Sequence, residues 1–218
     1  FGYPETYREG SAEYWSPTMD RAWWRDNVHP KIPEWQQVYH AMVANLDWNF
    51  GRLLSGLDAL GLASNTLVVF TSDHGEMFGA HGRIAKKIFY EEAARVPYLM
   101  RLPGVTRPGA VETCLNTPDI MPTLLGLLGI DTPESVEGMN LSHRARGEAG
   151  PEPEAAFMQG MGHTYQWLDG DEWRALRDTR YTYAIEREGS REHLYDNIKD
   201  PLQQRNLISE ESARALLD

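Results

Sequence analysis

Apolar residues recur along residues 34–60 at Val38, Met42, Leu46, Phe50, Leu53, Leu57 and Leu60, in steps of three and four. That is the period of one helix face, so a single long amphipathic helix is expected, ending near Gly61. The pattern then changes. Leu67-Val68-Val69-Phe70 is a run of β-branched and aromatic residues without polar alternation, which predicts a strand covered on both faces. Residues 96–102, VPYLMRL, open with Pro97 near their start and stop at Pro103-Gly104, and they read as the next strand. A helix that feeds a buried strand through a short loop, residues 62–65, indicates the α/β class, with the helix covering the sheet. Residues 119–128 predict a short helix, with Thr117 as N-cap, Pro118 at the first helical position, Asp119 favoured by the helix dipole and Gly129 as the stop.

Residues 144–156 are rich in Arg, Gly, Glu, Pro and Ala and predict an exposed linker. Beyond it, residues 155–161, 172–177, 181–186 and 192–195 read as short strands. The segments WRALRD and TRYTYAIER are spaced as an antiparallel pair. A helix over residues 209–217 closes the chain. Residues 1–33 are crowded with Pro, Trp and Tyr but have no steady period, which predicts an irregular segment with short helical turns. Its aromatics Tyr14, Trp15, Trp23 and Trp24, with Trp35 just beyond, are expected to pack that segment onto the body rather than to line a pocket.

The composition is that of a globular protein: 41% apolar and 24% charged residues in 218 positions. The net charge is −11, and no basic cluster exceeds Arg83-Lys86-Lys87, which argues against nucleic acid as a partner. No apolar run approaches the length of a membrane span. The single cysteine, Cys114, excludes an intrachain disulfide framework and a cysteine-rich zinc site, and it reads as a small buried residue. The chain begins at Phe1 without an initiator methionine or signal-peptide pattern, so it reads as part of a longer protein and its compartment stays open.

Chemistry concentrates directly after the buried strand. Ser72-Asp73-His74-Gly75 falls at the strand's carboxyl end, where open α/β sheets collect ligands. Neighbouring side chains on a strand point to opposite faces. Asp73 and His74 can therefore share a ligand only if the backbone leaves the strand there, which Gly75 permits. A bare Asp-His pair more often opens a turn. Here a glycine-spaced loop, Gly79-Ala80-His81-Gly82, and the lysines Lys86 and Lys87 follow within a few residues.

The stretch SDHGEMFGAHG, then Lys86, then YEEAARVPYLMRLPG resembles the sulfatases of the alkaline phosphatase superfamily, including their phosphonate monoester hydrolase relatives. NTPDIMPTLLGLLGIDTPESVEGMNL resembles the family's PTLL helix, and LYDNIKDPLQQRNL its terminal segment. PETY near the start and YHAMVANLDWNFGRLL in the long helix add to the match, in the expected order. The resemblance implies an alkaline-phosphatase-like, mainly parallel sheet flanked by helices, followed by a small C-terminal antiparallel sheet with a helix. Residues 1–143 would be the C-terminal part of the catalytic α/β domain, 144–156 the linker and 157–218 a small α+β subdomain.

The resemblance further implies that Asp73 and His74 are metal ligands, and that Lys86, four residues before Tyr90, contacts the transferred group. His81 receives no role beyond hydrogen bonding, and His163 reads as an exposed loop histidine. One divalent cation is implied, calcium first, with manganese or magnesium as alternatives. The substrate would be a sulfate ester, small or carbohydrate. Many sulfatases have Asn at the position of His74, and the Asp-His version also occurs in phosphonate monoester hydrolases, so phosphonate or phosphodiester hydrolysis is the first alternative. The family's formylglycine arises from a Cys/Ser-x-Pro-x-Arg motif, which this sequence lacks: Cys114 sits in CLNTP, and Ser16-Pro17-Thr18-Met19-Asp20-Arg21 has the wrong spacing. The nucleophile and further metal ligands are accordingly expected on a missing N-terminal part of the same protein. A non-catalytic fragment or binding module is the second alternative.

Overall fold

The computed structural model describes residues 21–160, 172–186, 191–214 and 216. The stretch around Tyr14, Trp15 and Ser16, the loop of His163 and the last residues of the expected closing helix lie outside the described residues. A short helix α1 (Arg21–Asn27) and a 3₁₀ turn lead into the long helix α2 (Ile32–Ala59), which Pro33 starts at a position needing no intrahelical N–H partner. After a second 3₁₀ turn the chain enters β1 (Val68–Thr71). It then winds through a long loop, a single helical turn α3 (Glu91–Ala94) and β2 (Tyr98–Arg101).

β1 and β2 are neighbours, Val68 opposite Arg101 and Thr71 opposite Tyr98, but they run antiparallel. The mainly parallel sheet expected here is therefore not what these two strands form. The reason is the connection: residues 72–97 turn back through a loop and one helical turn instead of crossing over on a full helix, so the second strand returns in the opposite direction. Nor is β1 covered on both faces. Val68, Val69 and Phe70 are half-buried and Thr71 is exposed.

Helix α2 meets this pair through Phe50, whose ring lies 5.2 Å from that of Phe70, and meets the loop through Tyr39, edge-on to Phe78 at 4.9 Å. The rest of its apolar stripe, Val38, Met42, Leu46 and Leu53, faces outward. The expectation that α2 covers the sheet thus holds in part, at Phe50, while Leu57 is half-buried and most of the stripe is exposed.

Helix α4 (Thr117–Leu128) starts two residues before the expected range, and its N-cap lies one residue earlier. Asn116, not Thr117, is the N-cap, because its side chain accepts the first free N–H while the Asp119 carboxylate reaches back to the Asn116 N–H at 2.9 Å. Asp119 does more than complement the dipole: its other oxygen accepts from Met139 N–H at 2.8 Å, tying the following loop to the helix. Pro122 leaves the Pro118 carbonyl without a helical donor, and Gly138 packs against that carbonyl so closely that a Cβ would lie 1.9 Å from it. Gly129 ends the helix in the left-handed conformation.

Residues 144–146 complete a short helix α5 (Ser142–Arg146), where Arg146 donates to the Gly126 carbonyl and to Ser142. Residues 147–155 carry the chain into a four-stranded antiparallel meander: β3 (Ala156–Gly160), β4 (Trp173–Arg177), β5 (Tyr181–Glu186) and β6 (Glu192–Asp196), in that spatial order. Its inward face carries Trp173, Ala175, Ala184 and Tyr195, which pack with Met77, Ala80, Phe89, Tyr90 and Ala93 of the long loop and α3. The outer edge of β6 is covered by the tail: Leu207 N–H donates to the Leu194 carbonyl and the Asn206 side chain bridges Leu194 N–H and the Glu192 carbonyl. Covering an edge strand in this way blocks pairing with another chain. A short helix α6 (Glu211–Arg214) follows.

Candidate active site

β1 ends at Thr71, so the chain has left the strand before Asp73 and His74. Freed from alternation, the two side chains converge: His74 Nε2 lies 3.2 Å from Asp73 Oδ2. The other carboxylate oxygen accepts from the His74 N–H at 2.9 Å, and this hydrogen bond is the main reason the Asp73 carboxyl is held below its usual range. His74 Nδ1 stands 2.8 Å from the Gly75 carbonyl. A carbonyl only accepts, so Nδ1 carries a proton and a neutral ring keeps its lone pair on Nε2. Nε2 and the Asp73 carboxylate then present two electron-rich atoms to one side.

Gly75 fixes where this pair sits. Its N–H donates to the Ala93 carbonyl at 2.9 Å, and a Cβ on it would lie 1.9 Å from the Glu92 carbonyl oxygen. Only glycine allows α3 to approach the strand-end loop so closely. Asp73 is exposed and His74 half-buried, so the pair opens outward. Among the described residues no group of three or more His, Cys, Asp or Glu is placed to hold a metal. Asp73 and His74 place one carboxylate oxygen and one imidazole nitrogen where both could reach a single cation.

Lys86 is exposed on the same long loop, while Lys87 is half-buried. Lys86 is thus presented outward, and Lys87 is built into the loop. His81 is buried and stacks flat on Tyr90 at 3.7 Å with an interplanar angle of 3°. Its Nε2 is 4.0 Å from Glu92 Oε2, beyond hydrogen-bond distance. Burial pushes His81 down to about 4 and pushes the Glu92 carboxyl up, so near neutral pH the imidazole is uncharged and the pair is not an ion pair at full strength.

Two contributors to the loop went unnoticed in the sequence. The Glu76 carboxylate accepts from the Phe78 and Ala85 N–H groups at 3.3 and 2.5 Å, closing the loop on itself. Trp173, from β4, donates its indole N–H to the Lys87 carbonyl at 3.2 Å. Glu76 stands two residues after His74 and could have been suspected from that proximity. Nothing in the sequence joins residue 173 to residue 87. Cys114 is buried with its thiol near the Glu154 carbonyl, and burial raises its pKa. Arg95 pairs loosely with Glu91 at 3.6 Å, a structural role.

A carboxylate and an imidazole at the end of β1 and an outward lysine thus sit on one long loop, which rests on the C-terminal sheet. The family described as Sulfatase matches residues 2–130, and the one described as N-sulphoglucosamine sulphohydrolase, C-terminal, matches residues 79–218. This chain belongs to the sulfatase family. It is 40% identical over 84% of its length to an ulvan-active sulfatase of Formosa agariphila, and 32% identical over 91% to an endo-4-O-sulfatase of Bacteroides thetaiotaomicron. The crystal structure of the phosphonate monoester hydrolase of Agrobacterium radiobacter superposes on 83% of this chain with a TM-score of 0.71 at 28% identity, over 38% of its own length. The chain spans 37% and 43% of the length of the two sulfatases.

Proposed function

We propose that this chain is the C-terminal part of a metal-dependent sulfatase that hydrolyses sulfate monoesters of carbohydrates. The observation that carries this reading is the convergence of Asp73 and His74 at the carboxyl end of β1, where they can offer a carboxylate oxygen and an imidazole nitrogen to one cation. Calcium fits the oxygen side of such a site, and manganese or magnesium are the alternatives. When bound, the cation supplies Lewis-acid stabilisation of charge on sulfate oxygens. Lys86 offsets charge on the transferred group, and Gly75, clamped by α3, holds the ligand pair in place. The nucleophile, expected as formylglycine, and the remaining metal ligands belong to a part of the protein not contained in this chain. The exposed stripe of α2 and the edge of β1 that is unpaired among the described residues suit that part, and joining it there would extend β1 into a mainly parallel sheet. A carbohydrate substrate is favoured because one relative is named for ulvan and another for endo-acting 4-O-desulfation.

The test is a pair of substitutions in the full-length protein assayed with an aryl sulfate. Lys86→Ala is expected to lower kcat/KM by about 2–4 kcal/mol of transition-state stabilisation, while Lys87→Ala does far less. Asp73→Asn is expected to abolish the rise in Tm that calcium gives the unmodified protein. Equal activities for the two lysine variants would overturn the assignment. Likeness to a phosphonate monoester hydrolase supports a second reading, phosphonate ester hydrolysis on the same residues. A higher kcat/KM with an aryl phosphonate than with the matching sulfate would favour it.

A further inference from the structure

Lys86 sits between two residues that adopt the left-handed conformation without being glycine, Ala85 at φ 65° and Lys87 at φ 79°. Such backbone is unfavourable for residues with a Cβ and persists only where neighbours hold it. Both neighbours of Lys86 are held. On one side, Ala85 N–H is bound by the Glu76 carboxylate and the Ala85 carbonyl accepts from Met77 N–H at 2.8 Å. On the other side, the Lys87 carbonyl accepts the indole N–H of Trp173, a residue 86 positions away in the C-terminal sheet.

The indole has little freedom to do otherwise. It is buried, with Phe89 edge-on at 5.5 Å. On its other side is Gly160, its register partner on β3, where a Cβ would lie 2.3 Å from Nε1 and 2.6 Å from Cε2. The missing side chain at Gly160 is therefore the space that the ring occupies. The same sheet grips the segment after Lys87 as well: Arg177 forms two hydrogen bonds to the Glu91 carboxylate, at 3.0 and 3.2 Å, and Gln203 accepts from Glu91 N–H.

We infer that Trp173 is a positioning residue for Lys86: through the Lys87 carbonyl, the C-terminal sheet sets the backbone that aims the Lys86 ammonium at the transferred group. This rests on the role proposed for Lys86. The small sheet then contributes to catalysis through the loop that it holds. The competing account is that the indole N–H merely satisfies a buried donor. Coupling separates the two, because a hydrogen bond that acts through Lys86 loses its effect on catalysis once Lys86 is gone.

The experiment is a double-mutant cycle in the full-length protein, with kcat and KM for an aryl sulfate and Tm as the folding control. Trp173→Phe keeps the buried ring and removes the donor. It is expected to lower kcat/KM about fivefold, the effect of one hydrogen bond, mainly in kcat. In a Lys86→Ala background the same change is expected to have no effect. Gly160→Ala, which displaces the indole, should give the same loss and the same coupling, and it decides the matter if Trp173→Phe does not fold. The inference is overturned if either folded variant loses activity by the same factor with and without Lys86, or if Lys86→Ala is crippled while both variants are fully active. Full activity of Lys86→Ala itself would remove the role of Lys86 and this inference with it.

Discussion

Leu194 on β6 is 2% exposed, whereas Leu46 on α2 is 59% exposed. Both are apolar residues of regular elements, Leu194 on the face of its sheet opposite Tyr195, and the contrast extends to their surroundings. The inner face of the C-terminal sheet is finished: it meets Phe89, Tyr90 and Ala93, and the tail covers the β6 edge, while Phe157 and Leu176 on the other face stay exposed. Helix α2 presents Val38, Met42, Leu46 and Leu53 to the outside over several turns. A helix stripe of that length is the signature of a core surface. The difference teaches that a sequence pattern states what an element needs to bury, while the coordinates show whether the partner is at hand. The candidate site lies on the border between these regions. Asp73 and His74 extend from the unfinished pair of strands, and the loop carrying Lys86 rests on the finished face of the sheet.

Matched substitutions put this comparison at risk. Leu194→Ala is expected to destabilise the 218-residue chain by about 2–5 kcal/mol in urea unfolding, as removal of a fully buried leucine does. Leu46→Ala should change the same chain by no more than about 0.5 kcal/mol, the range of surface changes. In the full-length protein its cost should rise to about 2–3 kcal/mol if α2 is covered there. An unchanged small cost in both proteins would mean that α2 is a true surface helix, and the contrast drawn above would collapse.

A smaller effect probes the seam between the regions by pH. His81 titrates near 4 rather than at its ordinary value of 6.5 because it is buried. The unfolded chain therefore takes up a proton at His81 between about pH 6.5 and 4 while the folded chain does not. Stability from this residue is fully present above that window and is lost as pH falls through it, on the order of 1–3 kcal/mol. Glu92, pushed upward by burial, acts with the opposite sign: its contribution is present below the ordinary carboxylate range and is lost as pH rises through its raised value. His81→Phe should flatten the acid side of the stability profile measured by Tm from pH 4 to 7. A profile identical to that of the unmodified chain would show that the loop beneath Tyr90 is not packed as described. The smallest effect belongs to α4: Asn116→Ala should cost about 1 kcal/mol through loss of the cap, in both the short chain and the full-length protein.

The sequence by itself determined the elements whose signals are local. The long helix, the two strands flanking the site loop and the four strands of the C-terminal meander follow from period and turn residues, and so does the place of Asp73 and His74 after a strand. The motifs and their order carried the family. Where a local signal had two good readings, the chain chose by hydrogen bonds not visible in one dimension: Asn116 displaced Thr117 as the cap because Asp119 could answer it. Strand direction was likewise undetermined. Residues 72–97 could have crossed over or turned back, and it is packing onto the C-terminal sheet through Phe89, Tyr90 and Ala93 that turns them back. The hold on Lys86 lay furthest from the sequence. It depends on an indole 86 positions from Lys87 fitting the space left by Gly160, and such contacts exist only once the sheet has formed.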